Sequence, residues 1–262
     1  MKRWLYILLA LVLLACGGCD QAETDANISS DTTSLASNTS EEGADLLPDG
    51  LDGDPTTSIT MISPEGNLGA TSEITAQYME DLRQVKPRER QVAAYVNDEA
   101  IYKDHVLLSL AQLDYTLACN LPSIAEDEKE AYLQRYEKDD DSMLQLLIDR
   151  KVGELEAQSV GIMVDEETLK ADAEEQWQMA LKSGAMLKEL EALGITADEY
   201  FILYQYPVYL QNAYFNQLFE QLLPAEDFVD AQGRLDTERR DDAIAEKLQE
   251  MKQKYNIRIL ES

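Results

Sequence analysis

The sequence predicts a mainly α-helical domain, residues 72–262, closed by a small antiparallel strand pair and preceded by a disordered tail. Apolar residues recur at helical spacing through most of this region. Two alternating β-branched segments, about residues 92–96 and 256–260, lie at its opposite ends and are expected to pair with each other. The preceding segment is rich in Ser, Thr, Asn, Asp and Glu and has few aromatic residues, which predicts disorder.

The amino terminus has the pattern of an export signal. Lys2 and Arg3 precede an apolar run, residues 4–15, that is shorter than the roughly 20 residues needed to span a bilayer. The letters LLAC that end at Cys16 resemble a bacterial lipobox. We therefore predict that residues 1–15 are a lipoprotein signal peptide and that Cys16 is acylated. The attached lipid would insert into the bilayer of the bacterial cell membrane and hold the protein on its extracytoplasmic side. The alternative is a plain cleaved signal with a coincidental cysteine.

Residues 16–71 are predicted to form a disordered acidic stalk. The chain has 51 acidic and 22 basic residues, a net charge of −29, and no Lys or Arg lies between Trp4 and Leu82. Such a charge excludes nucleic acid as a partner. Cys119 is expected to be a small buried residue, although a bridge to Cys19 stays open.

The first elements of the domain are a lead-in helix, a strand and a second helix. Residues 72–85 carry apolar side chains at helical spacing, and Pro87 ends that helix. Residues 91–101 surround an Asn-Asp turn with β-branched residues and predict a short strand and a turn. Residues 103–118 carry a Val and Leu stripe at helical spacing.

The later helices are predicted from their ends. The start of a helix is indicated by a side chain that can accept a hydrogen bond from a free backbone N–H of the first turn, or by acidic residues in that turn. Glycine just past a helical run marks an end. The predicted starts are Ser123 and Thr196, each with Glu three residues on, then Asp141 or Ser142, and Asp165; the predicted ends are Gly161 and Gly194. A last helix, residues 237–255, leads into the closing strand.

Four segments are similar to one known family. They are "RQVAAYVNDEAIYKDHV", "LLIDRKVGELEAQSVGIMVDEETL", "LGITADEYFILYQYPVYLQNAYFNQLFEQL" and "KQKYNIRIL". In this order they resemble the SurA/PrsA/trigger-factor-like chaperone domain, the SurA N-terminal domain family, over residues 91–260. The resemblance implies a helical chaperone fold whose partners are unfolded or nascent exported polypeptides.

The chain departs from that family in its catalytic part. A parvulin-type prolyl isomerase domain often follows the long helix, but here only residues 223–236 separate that helix from the last one. The single histidine is His105, in the first helix of the domain, so parvulin-type histidines are missing. The sequence therefore predicts no isomerase activity.

No other pattern indicates an enzyme, a cofactor or a metal site. A glycine-rich phosphate loop, CxxC, HExxH and GxSxG are all missing from the sequence. His105 is expected to be a surface or helix-packing residue and not a catalytic one, and the acidic run 137–142 is expected to be a solvated loop and helix start. Acidic pairs such as Glu174–Glu175 are expected on exposed helix faces.

The most informative segment is residues 200–219, where eight aromatic residues and Pro207 fall within one predicted helix. Proline inside a helix removes a hydrogen bond and bends the axis. One helical face cannot bury every ring, so some are expected to contact a client. The predicted client-binding residues are Tyr200, Tyr204, Tyr206, Tyr209, Tyr214, Phe215 and Phe219. Core packing between helices is the alternative for each ring.

These features predict a membrane-anchored chaperone-like lipoprotein that binds unfolded segments of exported proteins. The alternative is a structural or adaptor lipoprotein that docks one defined partner at the cell envelope. A degenerate isomerase is a third hypothesis.

Overall fold

The computed structural model describes residues 71–134, 136, 139–230 and 233–260. The predicted signal peptide, the lipid-attachment residue Cys16 and the stalk up to residue 70 lie outside the described residues. In the part that is described, no helix combines the length and apolarity that crossing a bilayer requires.

A three-stranded antiparallel sheet joins the two ends of the domain. Its strands are β1 (Val92–Val96), β2 (Glu99–Tyr102) and β3 (Ile257–Ile259), in the order β2-β1-β3. The predicted pairing of the two ends is confirmed, with Tyr95 opposite Arg258. Asn97, at a positive φ of 54°, turns the chain between β1 and β2. Its backbone N–H donates to the Asn256 carbonyl at 2.8 Å, which ties this turn to the chain before β3.

The rest of the domain is helical, as predicted. The helices are α1 (Ser72–Gln84), α2 (Lys103–Asn120), α3 (Lys129–Gln134), α4 (Asp140–Ser159), α5 (Glu166–Ala180), α6 (Gly184–Leu193), α7 (Ala197–Tyr200), α8 (Tyr206–Leu222) and α9 (Thr237–Lys252). A π-helical turn, Phe201–Gln205, joins α7 to α8.

Most of the predicted helix starts and helix ends are confirmed. Thr196 forms a capping box with Glu199, and Asp165 accepts from the Thr168 backbone N–H. Gly161 and Gly194 have φ of 82° and 67°, the left-handed backbone of a helix end.

Two predicted starts are wrong. Ser123 ends a short 3-10 turn, and its hydroxyl donates to the Asn120 carbonyl at 2.7 Å. The helix predicted to start at Asp141 or Ser142 is capped instead by Asp139, whose carboxylate accepts from the Ser142 backbone N–H at 2.8 Å.

Two apolar cores meet at the long aromatic helix. The first joins the sheet to α2, α4, α8 and α9, and includes Phe215 and Phe219. The second joins α1, α2, α5 and α6, and includes Tyr200 and Tyr204. The aromatic segment therefore supplies rings to one core at its start and to the other at its end. Cys119 is a free thiol buried in the second core, as predicted.

Candidate binding groove

Five of the seven predicted client-binding residues are core residues. Tyr200, Tyr204, Tyr214, Phe215 and Phe219 are each at most 8% exposed, while Tyr206 and Tyr209 are half-buried. Two of the tyrosines also hold α8 against α5. The Tyr209 hydroxyl donates to the Gln176 side chain, and the Tyr214 hydroxyl donates to Glu166 at 3.3 Å. In this structure, therefore, most of the aromatic residues between 200 and 219 pack inside the domain and stabilise it.

Rings from α5 and the long helix form a continuous aromatic layer. The Trp177 and Tyr200 rings stack with centroids 5.2 Å apart and an interplanar angle of 6°. Phe201 lies 6.5 Å from Trp177 and stacks on Tyr206 at 6.0 Å. Because Tyr206 is half-buried, the outer edge of this layer reaches the surface.

The outer edge of the layer is the floor of an open groove between α5 and the π turn. The groove has a volume of about 550 Å³. Its floor consists of Trp177, Phe201, Ile202 and Tyr206. Ile202 is 66% exposed, unlike the rings beside it. The groove therefore presents an apolar surface that the chain's own described residues leave uncovered.

Charged residues line the rim of the groove. Glu174 and Glu175 project from α5, Asp198 lies in the first turn of α7, and all three are exposed. Lys170 also lines the groove, with its Nζ 3.8 Å from a Glu174 carboxylate oxygen. The rim thus carries three carboxylates and one ammonium group, a local charge of −2.

The π turn lies beside this groove. The Tyr206 N–H bonds to the Phe201 carbonyl, five residues back, and Pro207 follows in the first turn of α8. The mid-helix irregularity predicted at Pro207 therefore takes the form of a widened turn just before it. Turns of this kind occur frequently at functional sites. Here the turn carries both Phe201 and Ile202 of the groove floor.

Of the predicted client-binding residues, Tyr206 lines the groove. Sequence reasoning missed Trp177 and Ile202, and placed Glu174 and Glu175 on an exposed face without relating them to the aromatic segment. The sequence did not distinguish Ile202 as an exposed residue, because it lies within a run of apolar residues. Its exposure depends on how α5 packs against the π turn.

A buried polar cluster supports the other face of the π turn. The Tyr204 hydroxyl donates to Asp104 at 2.7 Å, and both side chains are nearly fully buried. The Arg90 guanidinium lies 3.8 Å from the same carboxylate and 3.9 Å from the Tyr102 ring centroid. These contacts fix the π turn to the start of α2.

His105 belongs to the same cluster. Its ring centroid lies 4.9 Å from that of Tyr204, and burial lowers its pKa to about 4, against an opposing effect of Asp104. The imidazole is therefore neutral at pH 7. A backbone interaction with Leu203 partly offsets the lowering. The expected helix-packing role of His105 is confirmed.

We expect Tyr204→Phe to destabilise the domain by about 1–3 kcal/mol, because it removes a donor from a buried carboxylate. The Tyr95→Phe variant is the matched control, since the Tyr95 hydroxyl bonds to no other described side chain. Urea unfolding measures the difference. Equal midpoints for the two variants would show that the Asp104 hydrogen bond contributes no net stability.

Across the described ranges, no three His, Cys, Asp or Glu side chains come together as a metal site would require. The first two residues of the acidic run 137–142 are not among the described residues. Asp139, in the same run, caps the start of α4.

No protein-family model, curated protein or solved structure matches the chain significantly. The resemblance of the four segments to the SurA/PrsA/trigger-factor-like domain therefore stays a prediction from those segments.

Proposed function

We propose that this protein is a membrane-anchored, extracytoplasmic chaperone-like lipoprotein that binds unfolded or extended segments of exported proteins. The observation that carries the proposal is the open groove with an apolar floor, in which Ile202 is 66% exposed. The export-signal pattern ending at Cys16 supports the location. The four segments that resemble the chaperone family support the class.

The groove suits transient holding of a chain. Its volume of about 550 Å³ lies within the range of ligand pockets, about 300–1,000 Å³. Apolar client side chains on the floor would lose contact with water, which favours binding by about 25 cal/mol for each Å² removed. An unfolded client loses conformational entropy when it is ordered, so each site binds weakly and releases quickly. Holding of this kind requires no catalytic residue, and we expect no prolyl isomerase activity.

The test is suppression of client aggregation by the full chain in lipid nanodiscs. We expect suppression at equimolar dose, and about a tenfold loss of potency for Ile202→Ser, because a buried apolar side chain contributes about 1.5–3 kcal/mol. Leu187→Ser is the matched control, since Leu187 is also helical, is 56% exposed and lies outside the groove. No suppression at equimolar dose would contradict the proposal, as would equal losses in both variants.

The adaptor alternative also has an observation in its favour. Because five of the seven predicted rings are buried, the aromatic segment presents little exposed apolar area, which suits one defined partner. Affinity capture from solubilised membranes separates the two functions. One stoichiometric partner favours the adaptor, whereas many partly unfolded clients favour the chaperone.

A further inference from the structure

We infer that the groove takes extended segments in which an apolar side chain is flanked by lysine or arginine. This inference rests on the proposed function and names the class of client segment that the groove selects.

The floor requires an apolar side chain at the centre of the segment. Ile202 and the edge of Tyr206 are accessible, and neither offers a charge to pair with. A charged client group placed on this surface would lose water without gaining a partner, which is costly.

The rim determines which flanking residues fit. Glu174 and Glu175 line the groove from α5 and Asp198 lines it from α7, so a bound segment would lie close to carboxylates from two helices. Lys170 offsets one of these charges. Lysine or arginine beside the central apolar residue would meet opposite charge, and glutamate or aspartate would meet like charge. Each exposed pair contributes about 0.2–1 kcal/mol and weakens with salt.

The effect of the rim's charge on peptide binding must be distinguished from the effect of the net charge of the whole chain. With a net charge of −29, the protein attracts any basic peptide over its entire surface. The rim is tested by the double variant E174Q/E175Q. The matched control is D127N/E128Q, which removes the same two charges at exposed residues outside the groove.

The experiment uses the full chain in nanodiscs and three fluorescent peptides with one apolar core, flanked by lysine, glutamine or glutamate. At low salt we expect the lysine peptide to bind about tenfold more tightly than the glutamine peptide, and the glutamate peptide most weakly. E174Q/E175Q should reduce the lysine preference to about twofold, while D127N/E128Q keeps it. Ile202→Ser should weaken all three peptides alike.

Other outcomes overturn the inference in distinguishable ways. Equal binding of the lysine and glutamine peptides, with loss in Ile202→Ser, would keep the proposed function and remove the charge selection. Equal effects of the two double variants would assign the preference to overall charge. If no peptide binds, the proposed function and the inference both fail. A dimer that Ile202→Ser disrupts would then identify a second copy of the chain as the occupant.

Discussion

Replacing Glu189 by glutamine is expected to stabilise the domain by about 3 kcal/mol at pH 8 and to have little effect near pH 4.5. Glu189 is 5% exposed on α6, and the Tyr78 hydroxyl of α1 bonds to its carboxylate. Burial raises the pKa of Glu189 from 4.5 to about 7, although the Tyr78 hydrogen bond opposes the shift. A charged Glu189 is therefore unfavourable in the folded state.

The direction of the pH dependence follows from linkage. Between pH 4.5 and about 7 the folded state holds a proton on Glu189 that the unfolded chain has released. The contribution to stability is complete below pH 4.5 and is lost as the pH rises through about 7. At about 1.36 kcal/mol per pKa unit, the loss amounts to about 3 kcal/mol. Glutamine remains neutral and can still accept from Tyr78, so the variant does not suffer this loss.

Denaturant unfolding at several pH values measures the effect, as the difference between variant and parent. Glu191→Gln is the control, since Glu191 lies exposed on the same helix. Tyr115 of α2 also interacts with Glu189, and its pKa is raised by burial, so it stays protonated and supplies no negative charge at neutral pH. A difference between E189Q and the parent that stays constant from pH 5 to pH 8 would contradict the prediction.

Gly153→Val is expected to destabilise the domain by about 3 kcal/mol. A Cβ at Gly153 would lie 2.5 Å from Cδ2 of Phe215, because α4 and α8 approach closely at this point. The Phe215 ring is 3% exposed, with Phe219 4.6 Å and the Arg150 guanidinium 4.3 Å from its centroid. It has little room to retreat, and overpacking of a core typically costs about 1–3 kcal/mol.

A double-mutant cycle tests the origin of this loss. In a Phe215→Leu background the smaller side chain leaves space for the valine, so Gly153→Val should cost less than about 1 kcal/mol. Urea midpoints of the four proteins give the coupling. Strictly additive losses would show that Phe215 is not the group that excludes a side chain at Gly153.

Local features of the sequence predicted much of the fold. The capping box at Thr196, the cap at Asp165 and the left-handed glycines at 161 and 194 depend on residues within one turn of each other. Ser123 and Asp139 show the limit of this reasoning. Several polar residues in a row can each cap a helix, and the packing of the whole helix selects one of them.

The strand β2 shows a related limit. Residues 99–102 lead directly into α2, and the sequence offered them only as part of a turn. They pair with β1 because the hairpin at Asn97 returns the chain alongside it. The pairing of β1 with β3 was predictable, because both segments alternate and the closing strand has no nearer partner along the chain.

Exposure of the aromatic residues could not be predicted from the chain alone. The sequence places eight aromatic residues within residues 200–219 and shows that one helical face cannot bury them all. It does not show that two separate cores enclose this helix, one at each end. Tyr200 and Phe219 are buried for that reason, while Ile202 remains exposed. Helical periodicity fixes the angle of each side chain about its own axis, and the neighbouring helices fix whether water reaches it.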